Sequence, residues 1–81
     1  MNYLNPEFYI IAAIDDKERH IRVKPLETTD GISYFVCFIG EKEISQLRKE
    51  VYGKWEQLWG ALNEKAVANL GHAIEEKITP T

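Results

Sequence analysis

The patterned part of the chain begins with Phe8-Tyr9-Ile10-Ile11-Ala12-Ala13-Ile14, a short apolar run rich in β-branched and aromatic residues that stops at Asp15-Asp16-Lys17-Glu18. A run of this length bounded by a polar turn predicts a strand entering a hairpin. Arg19 to Glu27 then alternates, with Ile21 and Val23 on one side and His20, Arg22 and Lys24 on the other, as a half-solvated return strand does. Pro25 lacks a ladder donor and points to an edge position or the strand's end. Thr28-Thr29-Asp30-Gly31 is a turn by composition. Ile32 to Ile39 follows as the most apolar strand, and both of its faces, Tyr34/Val36/Phe38 and Phe35/Cys37/Ile39, are hydrophobic. That predicts a central strand covered on both sides.

After the reversal at Gly40-Glu41-Lys42 the pattern becomes ambiguous. Ile44, Leu47, Val51, Trp55 and Leu58 fall at amphipathic-helix spacing among good helix formers. Against a helix stand Gly53 and Gly60, each costing up to about 1 kcal/mol in a helix interior. Tyr52-Gly53-Lys54 serves equally as a turn between two short strands, Glu43 to Lys49 and Lys54 to Trp59. Trp55 and Trp59 are expected to share a face in either reading. The last element is the clearest: Asn63 is a good N-cap, and Leu62 and Val67 sit where a hydrophobic staple places them. Val67, Leu70, Ile74 and Ile78 form one stripe, Lys77 suits the C-terminal dipole and Pro80 ends the run. Gly71, beside Leu70, would let this helix approach a sheet closely.

Arg22-Val23-Lys24-Pro25-Leu26, Tyr34-Phe35-Val36-Cys37-Phe38 with Gly40-Glu41, Gly53-Lys54-Trp55, and Val67 with Leu70-Gly71-His72-Ala73-Ile74-Glu75 resemble small proteins of Bacteroidetes bacteria. The resemblance covers roughly residues 19 to 77. It implies a β-meander whose last strand carries a tryptophan and leads into a C-terminal helix, and so a strand over Glu43 to Lys49 paired with Ile32 to Ile39. It carries no activity. The expected fold is α+β: a single domain over residues 1–81 with an antiparallel β-meander of four to five strands and one helix, Asn63 to Lys77, packed on one face. The alternative is three strands followed by two helices.

Composition narrows the function further. Eighty-one residues with net charge −3 give one core of limited stability, which makes self-association a live expectation. Neither half of the chain has the excess of positive charge that a nucleic-acid arm carries. The single Cys37 forms no internal disulfide and no zinc site by itself, and it suits a reducing compartment. The longest apolar run, Phe8 to Ile14, is far short of a membrane span. The expectation is a cytoplasmic protein with no membrane association and no cofactor.

Candidate chemistry is sparse. Cys37 lies mid-strand, where a thiol is an inert small hydrophobe. His20 and His72 belong to different elements, with His72 on the outer helix face beside Glu75 and Glu76. Asp15-Asp16 reads as turn chemistry, because no Asx-rich calcium loop surrounds it. Lys17, Arg19, Arg22 and Lys24, with His20, form a basic cluster offset by Asp15, Asp16 and Glu18, which leaves weak nucleic-acid binding as one alternative. An enzymatic or small-ligand site near residues 15–24, built on His20 with Asp15/Asp16, or on Cys37, is another. The favoured expectation is a non-enzymatic interaction module. One helix about 22 Å long covers at best half of one face of a five-stranded sheet about 24 Å across, so an apolar face made by Tyr9, Ile11, Tyr34, Val36 and Phe38 is left for a homodimer or a protein partner. A fold-back of the segment Met1 to Glu7 over that face, or a sheet that curls on itself, would cover it instead.

Overall fold

A computed structural model describes residues 7–78 and shows a five-stranded antiparallel sheet followed by one helix. The strands are β1 (Phe8–Ile14), β2 (Lys17–Glu27), β3 (Ser33–Ile39), β4 (Lys42–Lys49) and β5 (Trp55–Gly60), paired in chain order as a meander. The helix α1 spans Glu64–Ile78. Residues 43–59 are therefore a strand hairpin, and the two-helix alternative is set aside.

The turns follow from the residues that make them. Asp15 and Asp16 both take positive φ, 55° and 66°, the backbone of a two-residue hairpin turn whose twist matches the flanking strands. The turn is thus shorter than the polar run suggested, and β2 starts at Lys17, directly opposite Ile14. At the next reversal Thr28 accepts from Gly31 through its carbonyl at 2.9 Å and from the Ile32 amide through Oγ1 at 3.1 Å. Pro25 pairs with Phe35 beyond the point where β1 runs out opposite Val23. Its missing donor falls where β2 is locally an edge among the described residues.

Ile10, Ala12, Ile14, Ile21, Val23, Phe35, Cys37 and Leu47 line one face of the sheet and form one core with Ala66, Val67, Leu70 and Ile74 of α1. The helix packs against β1, β4 and β5, so it reaches both edge strands. The sheet wraps around it. That curvature is how one helix covers a face too wide for it on a flat sheet. Ile78 is exposed, so the apolar stripe ends a turn earlier than the sequence spacing implied.

Two registers slip. Cys37 pairs with Ser45 but Phe38 with Glu43, which leaves Ile44 as an extra residue in β4. Gln46 pairs with Trp59 but Leu47 with Gln57, which leaves Leu58 as an extra residue in β5. Each is a β-bulge, and each resets which face the following side chains take. The second one separates the tryptophans: Trp55 turns to the helix and Trp59 to the opposite face, so they do not share a face.

The helix start is as its sequence implies. Asn63 Oδ1 accepts from the Ala66 amide at 2.8 Å and Leu62 packs against the core. Gly71 is buried against Trp55, and a Cβ there would lie 2.2 Å from the indole Cγ. Only a residue without a side chain lets the helix come this close.

Candidate functional site

The face of the sheet away from α1 is defined by register, because residues directly opposite one another in a ladder share a face. One row across it runs Tyr9, Arg22, Phe38, Glu43 and another runs Lys24, Val36, Gln46, Trp59. Ile11 opposite His20, and Leu26 opposite Tyr34, complete it. Tyr9, Ile11, Tyr34, Val36 and Phe38 therefore lie together on one face. They are not equally available. Tyr9 is 64% exposed and Ile11 53%, whereas Tyr34 and Phe38 are half-buried and Val36, at 5%, is closed in by its neighbours. Sequence reasoning missed Trp59, 53% exposed on this face at the opposite edge. Only the bulge at Leu58 puts it there, and nothing in the residue spacing announces a bulge.

Arg22 organises the middle. Its guanidinium carbon sits 4.3 Å from the Phe38 ring centroid, and Nη1 pairs with Glu7 at 3.2 Å. A guanidinium held over an aromatic ring and neutralised by a carboxylate is poorly placed to meet phosphate. The basic cluster is also divided. Lys17 and Arg19 pair with Ile14 and Ala12 on the helix side, while His20, Arg22 and Lys24 face away from it.

No family model, curated protein or solved structure matches this chain. The chemistry must be judged on geometry alone.

The groups considered for catalysis are kept apart. Cys37 is fully buried among the core residues, and that burial pushes its thiol up to about 12, which keeps it protonated and unreactive at neutral pH. His72 is on the outer helix surface with Nε2 3.3 Å from Glu76, on another element from His20. Asp15 and Asp16 are exposed turn residues, and Asp16 lies 3.8 Å from Lys65. Among the described residues no group of three or more His, Cys, Asp or Glu side chains could hold a metal ion, and no helix is long and apolar enough to cross a membrane.

An open groove of about 890 Å³ runs along β5, between Trp55 and Gln57 on one side and Val67, Ala68 and His72 of α1 on the other. Arg48, Glu50, Glu56 and Glu75 on its walls are engaged in ion pairs. Glu50 and Glu56 pair with Arg48 at 2.8 and 3.1 Å. Glu75 takes the Lys49 ammonium and the Trp55 indole N–H, and these hydrogen bonds hold its carboxyl below the usual carboxylate range. Beneath lies a network that no residue spacing announces. Ser45, the one buried polar residue among the described residues, has its hydroxyl 2.6 Å from Gln57 Oε1 and 3.1 Å from the Trp59 carbonyl. The Gln57 amide in turn donates to the Leu62 carbonyl at 3.0 Å and accepts from the Leu62 amide at 3.2 Å. This side chain ties β5 to the helix entry, and Gly60, at φ 124°, passes so close that a Cβ would meet Gln57 Oε1 at 2.6 Å. The groove wall is a structural joint rather than a set of poised reactive groups.

Proposed function

We propose that this chain is a non-enzymatic binding module that works through the sheet face away from α1. The observation that carries the reading is the exposure of Tyr9, Ile11 and Trp59 on that face, while the apolar residues of the helix side are consumed in the core. Aromatic side chains are enriched in interface cores, and Tyr9 with Ile11 at one edge and Trp59 at the other present large apolar groups at both ends of the face. The separation of Cys37, His20 and His72 supports a role without catalysis. The division of the basic cluster supports a protein partner over a nucleic acid. A reducing compartment such as the cytoplasm suits a buried free thiol.

A dye of apolar surfaces, anilinonaphthalene sulfonate, tests whether the face is available. The native chain should bind it, and the double variant Ile11→Ser/Trp59→Ser should bind it several-fold less while each single substitution changes the unfolding free energy by no more than about 0.5 kcal/mol. Unchanged dye binding, or a stability loss above about 2 kcal/mol for each residue, would mean that the chain covers this face itself and would end the proposal.

A further inference from the structure

The sheet has two edges, and they are built differently. β5 is six residues long, carries the bulge at Leu58 and presents Lys54 and Glu56 beside Trp55. Short length, bulges and charge are the devices by which edge strands avoid pairing with other chains. β1 has none of them. Its seven residues, Phe8–Ile14, contain no proline and no charge, and its register with β2 runs without a break.

The backbone of β1 points in a known direction. A two-residue turn closes on a pair that exchanges both hydrogen bonds, here Ile14 and Lys17, and alternation then assigns Ala12, Ile10 and Phe8 to bonded pairs with β2. The N–H and C=O groups of Ala13, Ile11 and Tyr9 are left facing outward. Asn69 Nδ2 of α1 donates to the Ala13 carbonyl at 3.1 Å, which agrees with this assignment and satisfies the outward carbonyl nearest the turn. The helix therefore blunts one end of the edge. At the other end Tyr9 and Ile11 combine outward backbone groups with the two most exposed side chains of the strand.

We propose that a second copy of this chain pairs with β1 along this edge, antiparallel about a two-fold axis at Ile10, giving one continuous ten-stranded sheet. The proposal rests on the reading of the far face as a binding surface, since Tyr9 and Ile11 belong to both. A second copy is the occupant because the strand complements itself. With the axis at Ile10, Tyr9 of each copy stands opposite Ile11 of the other, both backbone pairs bond, and an aromatic side chain meets a β-branched one twice. The neighbouring register is rejected by the same geometry. An axis at Ile11 would set Glu7 against Asp15, a like-charge pair, and would replace both Tyr9–Ile11 contacts by Tyr9 against the small Ala13.

Sedimentation velocity at tens of micromolar tests this, together with amide hydrogen exchange. The native chain should sediment at twice its 9.4 kDa mass, with the amides of Tyr9 and Ile11 protected in proportion to the dimer fraction. Tyr9→Lys, which adds an edge charge, should give a monomer with those amides exchanging freely. Ile11→Pro should do the same, because the Ile11 N–H makes no bond within the sheet. If circular dichroism shows Ile11→Pro unfolded, Tyr9→Lys decides alone. Trp59→Lys lies on the same face but four strand spacings away, about 19 Å, and should leave the dimer intact. A 9.4 kDa monomer throughout this range overturns the proposal, and if that monomer still binds the dye at Ile11 and Trp59, the binding-face reading survives it. A dimer that Trp59→Lys dissociates, with the Tyr9 and Ile11 amides unprotected, overturns the edge pairing in favour of face-to-face packing.

Discussion

Trp55 and Trp59 are four residues apart on one strand, yet they serve opposite sides of the molecule. Trp55 lies against Gly71 of the helix with its ring centroid 5.6 Å from that of Phe35 and its indole N–H directed at Glu75. Trp59 stands opposite Gln46 on the far face and is exposed. Hydrophobicity does not distinguish them. What does is the extra residue at Leu58, beside which the single Ser45 hydroxyl proton is shared between Gln57 Oε1 and the Trp59 carbonyl. A single insertion in a ladder thus turns one large aromatic into core and the next into surface.

The contact that commits Trp55 to the core is the most sensitive point. Gly71→Ala should destabilise by about 3 kcal/mol, since overpacking against the indole outweighs the gain of about 1 kcal/mol that alanine brings to a helix. Trp55→Leu in the same chain should recover much of that loss. Additive effects in a urea-unfolding double-mutant cycle would show that the helix does not rest on the ring.

Ser45→Ala removes the clamp on the bulge and should cost about 1 kcal/mol through the lost hydrogen bond. The same variant should make the exposure of the two tryptophans to acrylamide more alike, and unchanged quenching of both would break the link between clamp and placement.

Cys37 reports the seal on the helix side through pH. Its folded-state value, near 12, is raised by burial above the ordinary 9.0, so the unfolded chain loses its proton first. This contribution to stability is whole below pH 9 and falls as pH rises towards 12, with a slope approaching about 1.4 kcal/mol per pH unit. Cys37→Val should show a flatter alkaline limb in urea titrations, and identical limbs would place the thiol in contact with solvent.

Glu75 should have the smallest effect, as an exposed group screened by salt. Its carboxyl is depressed from 4.5 by the Lys49 and Trp55 hydrogen bonds, so the stability it adds is present above that value and disappears as pH falls through its lower folded one. Glu75→Gln should lack this acid-side loss while matching the parent in high salt.

Much of this was legible in the chain. The alternation of β2, the doubly apolar β3, and the Leu62–Asn63–Val67 helix start each follow from local rules that tertiary packing did not override. The region 43–59 misled for a physical reason. Because the bulge turns both Ile44 and Ser45 towards the core, Ile44 and Leu47 share a face three residues apart, the spacing a helix would give. The turn at Asp15-Asp16 is shorter than its polar run, and positive φ at two successive aspartates leaves no mark in the sequence beyond their polarity. Of the candidate face, the β1 and β3 members could be read from alternation, but Trp59 could not. Its position depends on a hydrogen-bond network between residues 45, 57 and 62 that no single segment encodes.

The order of elements along the chain also shapes its birth. α1 follows all five strands and yet docks on β1, so a ribosome releases the concave face well before the cover that closes it. Roughly 60 residues separate Ile14 from Ile74, which at about 5 to 20 residues per second is an interval of roughly 3 to 12 seconds. For that time the nascent meander holds Ile10 and Ile14 open to water, with Val23, Phe35 and Leu47 joining them as they are made. That delay is created by the topology, not by any weakness in the finished fold.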